Sequence, residues 1–186
     1  MIALIGLPGA GKSTVAPLLA ERLGCAWSDL DAEIGRAEGR PVPELLRGLG
    51  EPAFRAIEAR ALGAALEVAE RAAAGPTGAR GVVACGGGVL ALPESRARLR
   101  RHAFVVWLEA SPAAAADRLG AGGAGDRPLL AGEAGLAARI AALDAERRAL
   151  YGAAADAVVP TDGRAPLEVA EEIRRAWEAR WGSSAS

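Results

Sequence analysis

A chain of 186 residues, 51% apolar but with only seven aromatic side chains, has room for a single domain around a sizeable core. Its 22 basic and 23 acidic residues nearly cancel, so nothing argues for nucleic acid or an anionic membrane as partner. No apolar run approaches a membrane span, and Cys25 and Cys85 fit no metal-ligand spacing, which leaves them as two isolated thiols.

Met1-Ile2-Ala3-Leu4-Ile5 reads as a short buried strand, and residues 12 to 22 as the helix that follows it. Between them lies Gly6-Leu7-Pro8-Gly9-Ala10-Gly11-Lys12-Ser13, which fits G-x-x-x-x-G-K-[ST] in its required strand–loop–helix setting. Lys12 is the single lysine of the chain; the other 21 basic side chains are arginine. Lysine stands where a compact ammonium must reach phosphate oxygens. Glycines let backbone N–H groups converge on an anion, and the helix N-terminus adds partial positive charge. The segment implies binding of a nucleoside triphosphate. A phosphate loop that already starts at Gly6 leaves no room for a leader, and a cytoplasmic monomer is expected.

Ala26-Trp27-Ser28 is a second strand candidate that runs into Asp29-Leu30-Asp31, and Arg40-Pro41-Val42-Pro43 separates two short helices. Gly50-Glu51-Pro52 opens a long helix, with proline in the first turn where a missing N–H is harmless. Phe54, Ile57, Ala61, Ala65 and Val68 predict its apolar stripe. Gly75-Pro76-Thr77-Gly78 ends that helix, and residues 81–85, 103–108 and 156–159 predict three further strands. Ser111-Pro112 caps another helix. Val169, Ile173, Trp177 and Trp181 line the last one, before a short tail from Ser183 to Ser186. Strands alternating with helices predict an α/β fold, a parallel sheet covered on both faces.

A phosphate loop alone serves many functions, so the remaining polar residues must narrow the reading. Asp29 and Asp31 alternate across a strand end. One suits an outer position on Mg²⁺ with Ser13 as direct oxygen ligand; the other suits an acceptor hydroxyl and its proton. They read equally well as a helix cap. Arg55 and Glu58, one turn apart, read by themselves as an ordinary surface pair. Gly86-Gly87-Gly88 follows a strand at its carboxyl end, where open α/β sheets bind ligands. The crowded glycines Gly120, Gly122, Gly123, Gly125, Gly132 and Gly135 surround Asp126-Arg127-Pro128-Leu129-Leu130. That pattern reads as a glycine-hinged lid carrying one arginine. Arg147 and Arg148, near Tyr151, read as solvated, and His102 receives no role.

Taken in order, Gly9-Ala10-Gly11-Lys12-Ser13-Thr14, Asp29-Leu30-Asp31, Phe54-Arg55-Ala56-Ile57-Glu58 and Gly86-Gly87-Gly88 resemble the shikimate kinase family. So do Arg127-Pro128-Leu129-Leu130, Glu146-Arg147 with Leu150-Tyr151, and Thr161-Asp162-Gly163-Arg164. The resemblance runs from Ile2 to about Ile173. It implies a three-layer phosphate-loop fold of the nucleoside-monophosphate-kinase-like group with a five-stranded parallel sheet. One kinase domain over 1–186 would hold a substrate region at about 30–60 and a lid at about 119–132. The implied reaction moves the ATP γ-phosphoryl group to the 3-hydroxyl of shikimate, on the route to chorismate and the aromatic amino acids.

The same resemblance implies roles. ATP would lie on Gly9, Ala10, Gly11, Lys12, Ser13 and Thr14, with Arg118 and Arg164 at the adenine. Mg²⁺ would take Ser13 directly and Asp29 in its outer shell. Asp31 would hold substrate hydroxyls and act as base. Arg55 and Arg147 would grip the carboxylate, beside backbone from Gly86, Gly87 and Gly88. Arg127, with Lys12, would stabilise the transferring phosphoryl group. The chain departs from the family at Cys85, where threonine or serine is usual, at Pro17 inside the first helix, and in a longer, glycine-rich lid. Alternatives are a gluconate or other small-metabolite kinase of the same fold, and a catalytically silent nucleotide-binding domain.

Overall fold

A computed structural model describes residues 1–121 and 135–181. Five strands form one sheet: β1 (Ile2–Ile5), β2 (Trp27–Asp29), β3 (Val82–Ala84), β4 (Phe104–Glu109) and β5 (Ala157–Pro160). Their order is β2-β3-β1-β4-β5, and every pairing is parallel, with Ile2 beside both Val82 and Phe104. The central strands β1 and β3 are buried throughout, as their continuous apolar runs predict. The edge strands are less covered, and Trp27 and Val158 reach solvent.

The helices are α1 (Lys12–Leu23), α2 (Leu30–Glu38), α3 (Val42–Leu49), α4 (Glu51–Arg71), α5 (Pro93–His102), α6 (Pro112–Ala121), α7 (Gly135–Ala154) and α8 (Pro166–Trp181). Alternation along β4 shows how they divide. Phe104 meets Trp177 of α8, and Trp107 meets Tyr151 of α7. Side chains three residues apart on a strand point to opposite faces, so α7 and α8 cover opposite sides of the sheet. The result is the three-layer arrangement expected. Pro17 breaks the hydrogen-bond ladder at Ser13 but does not end α1, which continues to Leu23.

The stripe predicted for α4 holds at Phe54 and, half-buried against the core, at Ile57, Ala61 and Ala65, and is corrected at Val68. The buried face of the helix runs Phe54, Arg55, Glu58, Ala59, Leu62, Leu66 and Ala69, while Val68 is 68% exposed. The centre of the buried face is rotated from the predicted stripe toward Arg55 and Glu58, two charged residues that apolar periodicity does not count. Loops after β1, β2 and β3 all open at the carboxyl edge of the sheet, where ligands bind in open α/β folds.

Candidate active site

The phosphate loop leaves β1 through Gly6, Gly9 and Gly11, all at positive φ. A Cβ on Gly9 would run into the Ala115 carbonyl of α6, so both conformation and packing require glycine there. Lys12 is buried, and its ammonium donates to the carbonyls of Gly6 at 2.9 Å and Leu7 at 2.8 Å. The charge is thereby held at the mouth of α1. A cleft of about 340 Å³ opens in front of it, lined by Gly9, Gly11, Lys12, Ser13, Thr14, Asp29, Asp31 and Arg118. Ala10 is buried beneath the loop.

Asp29 caps a helix and also meets Ser13. Its Oδ1 accepts from the N–H groups of Asp31 and Ala32 and caps α2, while Oδ2 accepts from the Ser13 hydroxyl at 2.5 Å. Asp31, in the first turn of α2, lines the phosphate-loop cleft and also a second cleft of about 380 Å³. Pro8 and Gly87 are shared by the two cavities as well.

The second cleft is bounded by α2, α3, α4, the turn after β3, and α7. Its walls mix Val42, Leu46 and Phe54 with Arg55, Glu58 and Arg147. The expected surface pair on α4 is in fact buried: Arg55 is 5% exposed and Glu58 is 2% exposed. Arg55 Nη1 donates to Glu58 Oε2 at 2.7 Å, and Nη2 donates to Glu51 Oε1 at 2.8 Å. Burial opposes the guanidinium charge, but Glu58 and Glu51 outweigh it and hold its pKa up. Burial pushes the Glu58 carboxyl above its ordinary value, with Arg55 pulling it back. Glu58 Oε1 is buried and has no hydrogen-bond partner among the described residues. The pair sits inward because α4 is pressed against the glycine turn: a Cβ on Gly86 would strike Glu58 and Asp31, and one on Gly88 would strike the Arg55 guanidinium.

Arg147 reaches this cleft from the middle of α7, rather than lying solvated at a helix end. Arg148 does face solvent, tied to Glu109 and Asp144. Tyr151, one turn beyond Arg147, is buried and donates its hydroxyl to the Gly87 carbonyl at 2.5 Å. Burial pushes this phenol up to about 12, so it stays protonated.

Arg118 lines the phosphate-loop cleft and donates to the Gly9 carbonyl and to Thr161. Arg164 is not brought to it; its guanidinium binds the Pro160 carbonyl and Glu172. Arg127 and most of the expected lid lie outside the described residues. Cys85 is a buried thiol behind the phosphate loop, its pKa raised by burial. Sequence reasoning missed the apolar wall of Val42, Leu46 and Phe54, and also Pro8, which lines both cavities; the Pro41-Val42-Pro43 break was the available signal. It also gave Tyr151 no role.

A parallel sheet with a phosphate loop after its central strand, opening onto a second cleft lined by Arg55 and Arg147, defines a phosphate-loop kinase for a small acceptor. The sequence profile of shikimate kinase matches residues 8–178. Shikimate kinase from Streptomyces avermitilis is 43% identical over 179 residues, 96% of each chain. The chain belongs to the shikimate kinase family. Its fold matches the solved structure of Acinetobacter baumannii shikimate kinase in complex with shikimate at a TM-score of 0.84 and 29% identity, covering 100% of this chain and 94% of that one. A gluconokinase from Sinorhizobium meliloti, at 17% identity and a TM-score of 0.57 over 98% of this chain and 93% of its own, shares the fold alone.

Proposed function

We propose that this chain transfers the γ-phosphoryl group of ATP to the 3-hydroxyl of shikimate, giving ADP and shikimate 3-phosphate. The observation that carries the reading is Asp31 on the shared wall between the phosphate-loop cleft and the cleft holding Arg55 and Arg147. Phosphoryl transfer asks little covalent chemistry of a protein; it needs alignment, cations and a dry site.

In this reading the acceptor carboxylate lies on Arg55 and Arg147, a bidentate task that suits guanidinium. The backbone of Gly86, Gly87 and Gly88 flanks the ring, and Val42, Leu46 and Phe54 keep water out. Asp31 accepts the proton of the attacking hydroxyl as oxygen bonds to phosphorus, and ADP departs. Lys12 and the loop N–H groups balance charge on the transferred group. Arg118 is assigned to the adenine end. Arg164 is left out, because it does not line the phosphate-loop cleft. Arg127 enters on its sequence resemblance, as a further cation for the phosphoryl group.

The Ser13 hydroxyl and the Asp29 carboxylate are adjacent hard oxygen donors. Among the described residues no cluster of three or more acidic, histidine or cysteine side chains forms a metal cage. These two donors suit Mg²⁺, which would be held by Ser13 and Asp29. When bound, it neutralises charge on the β- and γ-phosphates. No helix among the described residues is long and apolar enough to cross a membrane.

The test is Mg²⁺- and ATP-dependent ADP release with shikimate, gluconate, AMP or no acceptor. Turnover confined to shikimate is expected. Turnover with gluconate instead, or with no acceptor preference, would discard the substrate assignment and leave the phosphate-loop reading.

A further inference from the structure

Tyr151 closes a motif of which the proposed reaction uses only Arg147, yet its hydroxyl holds the carbonyl of Gly87, a residue that lines the acceptor cleft. Gly86 to Val89 form a turn closed by the Val89 N–H on the Gly86 carbonyl at 3.2 Å. The Gly88 carbonyl is likewise held, by the Ala91 N–H at 2.9 Å. The peptide between them, Gly87–Gly88, has its carbonyl held only by the Tyr151 hydroxyl among the described residues.

That peptide is the one most prone to rotate. It is the central unit of the turn, and type I and type II turns differ chiefly by its flip. A type II turn needs positive φ at the third residue, which glycine supplies without strain. Here neither Gly87 nor Gly88 has positive φ, so the turn holds the other form. With glycine on both sides, sterics set no preference strong enough to keep it there. A trans peptide points its N–H opposite to its carbonyl. With the Gly87 carbonyl drawn toward Tyr151, the Gly88 N–H faces away from that buried ring, and Gly88 lines the cleft beside Arg55.

We propose that Tyr151 is a positioning residue: its hydroxyl latches the Gly87–Gly88 peptide so that the Gly88 N–H is presented to the acceptor carboxylate. Arg147, one helical turn earlier on α7, lines the same cleft as Gly87 and Gly88. The Tyr151 ring is planted on Trp107 of β4, centroids 5.9 Å apart, which ties the latch to the rigid sheet. The ligand in this inference rests on the proposed shikimate reading; the peptide orientation does not.

Tyr151→Phe tests it, since the ring and its packing remain. The KM for shikimate should rise roughly five- to tenfold, as for loss of one oriented hydrogen bond, with kcat and the KM for ATP within about twofold. The unfolding midpoint should hold, and the backbone amide signals of Gly87 and Gly88 should shift or broaden as the freed peptide exchanges. An unmoved Gly88 amide in the variant overturns the latch, whatever the KM does. An unchanged shikimate KM overturns its bearing on the acceptor. Equal rises in both KM values with a lowered midpoint would mark a merely structural tyrosine and also overturn it. A wild-type protein without shikimate turnover sinks the substrate reading alone, because the amide measurement needs no substrate.

Discussion

The two clefts that meet at Asp31 are built in opposite ways. The nucleotide side is mostly contiguous backbone: one glycine-rich loop, one lysine and one helix end, all within Gly6 to Thr14. The acceptor side is side chains drawn from α2, α3, α4 and α7, with a buried ion pair at its floor. A phosphate is recognised by local geometry that one short segment can carry. A carboxylated polyol needs cations and apolar walls converging from several directions, so its recognition depends on how helices pack.

The contrast can be broken by mutation. Lys12→Ala should have the largest effect, lowering kcat/KM more than about a thousandfold, because its charge acts on the transferring group. Steady-state kinetics with both substrates varied would show it. A drop confined to the ATP KM would reduce Lys12 to a binding residue.

Arg55→Ala should come next and act on the other side, raising the shikimate KM about a hundredfold with the ATP KM nearly unchanged. Folding should survive it, because the stranded Glu58 is already held toward its protonated form by burial. An unchanged shikimate KM would make Arg55 a purely structural cation.

Glu58→Gln sharpens the comparison with the smallest effect, read in pH dependence. A carboxyl with a raised folded pKa contributes stability that is complete below its unfolded value of 4.5 and lost as pH rises through the folded one. The wild type's advantage in unfolding midpoint over the variant should therefore be greatest at about pH 4 and shrink by a few degrees toward about pH 7. An advantage that grows with pH would mean that Arg55 outweighs burial at this carboxylate.

How far the sequence reached follows the same division. Lys12, Ser13 and the glycine loop were legible because a motif of eight adjacent residues dictates its own conformation. Strand positions were legible from apolar runs. Arg55 with Glu58 was not: spacing alone made it a surface pair, and only the family resemblance gave Arg55 a task. The buried face of the long helix was read off its centre for the same reason, since that face carries charge where periodicity expects apolar groups. Tyr151 was visible as a residue but not as a function, because its partner Gly87 lies 64 positions away.

The sequence by itself determined the phosphate loop, the parallel α/β order and the family, all of which rest on local chemistry and on motif order along the chain. Tertiary structure alone decided that Asp29 both caps α2 and meets Ser13, that Asp31 faces two cavities, and that Arg55 and Glu58 are buried together. It also decided that Arg118, and not Arg164, lines the phosphate-loop cleft. Burial and long-range contact set these outcomes, and neither is a property of a residue or its neighbours in sequence: each depends on which surfaces the packed helices bring against the edge of the sheet.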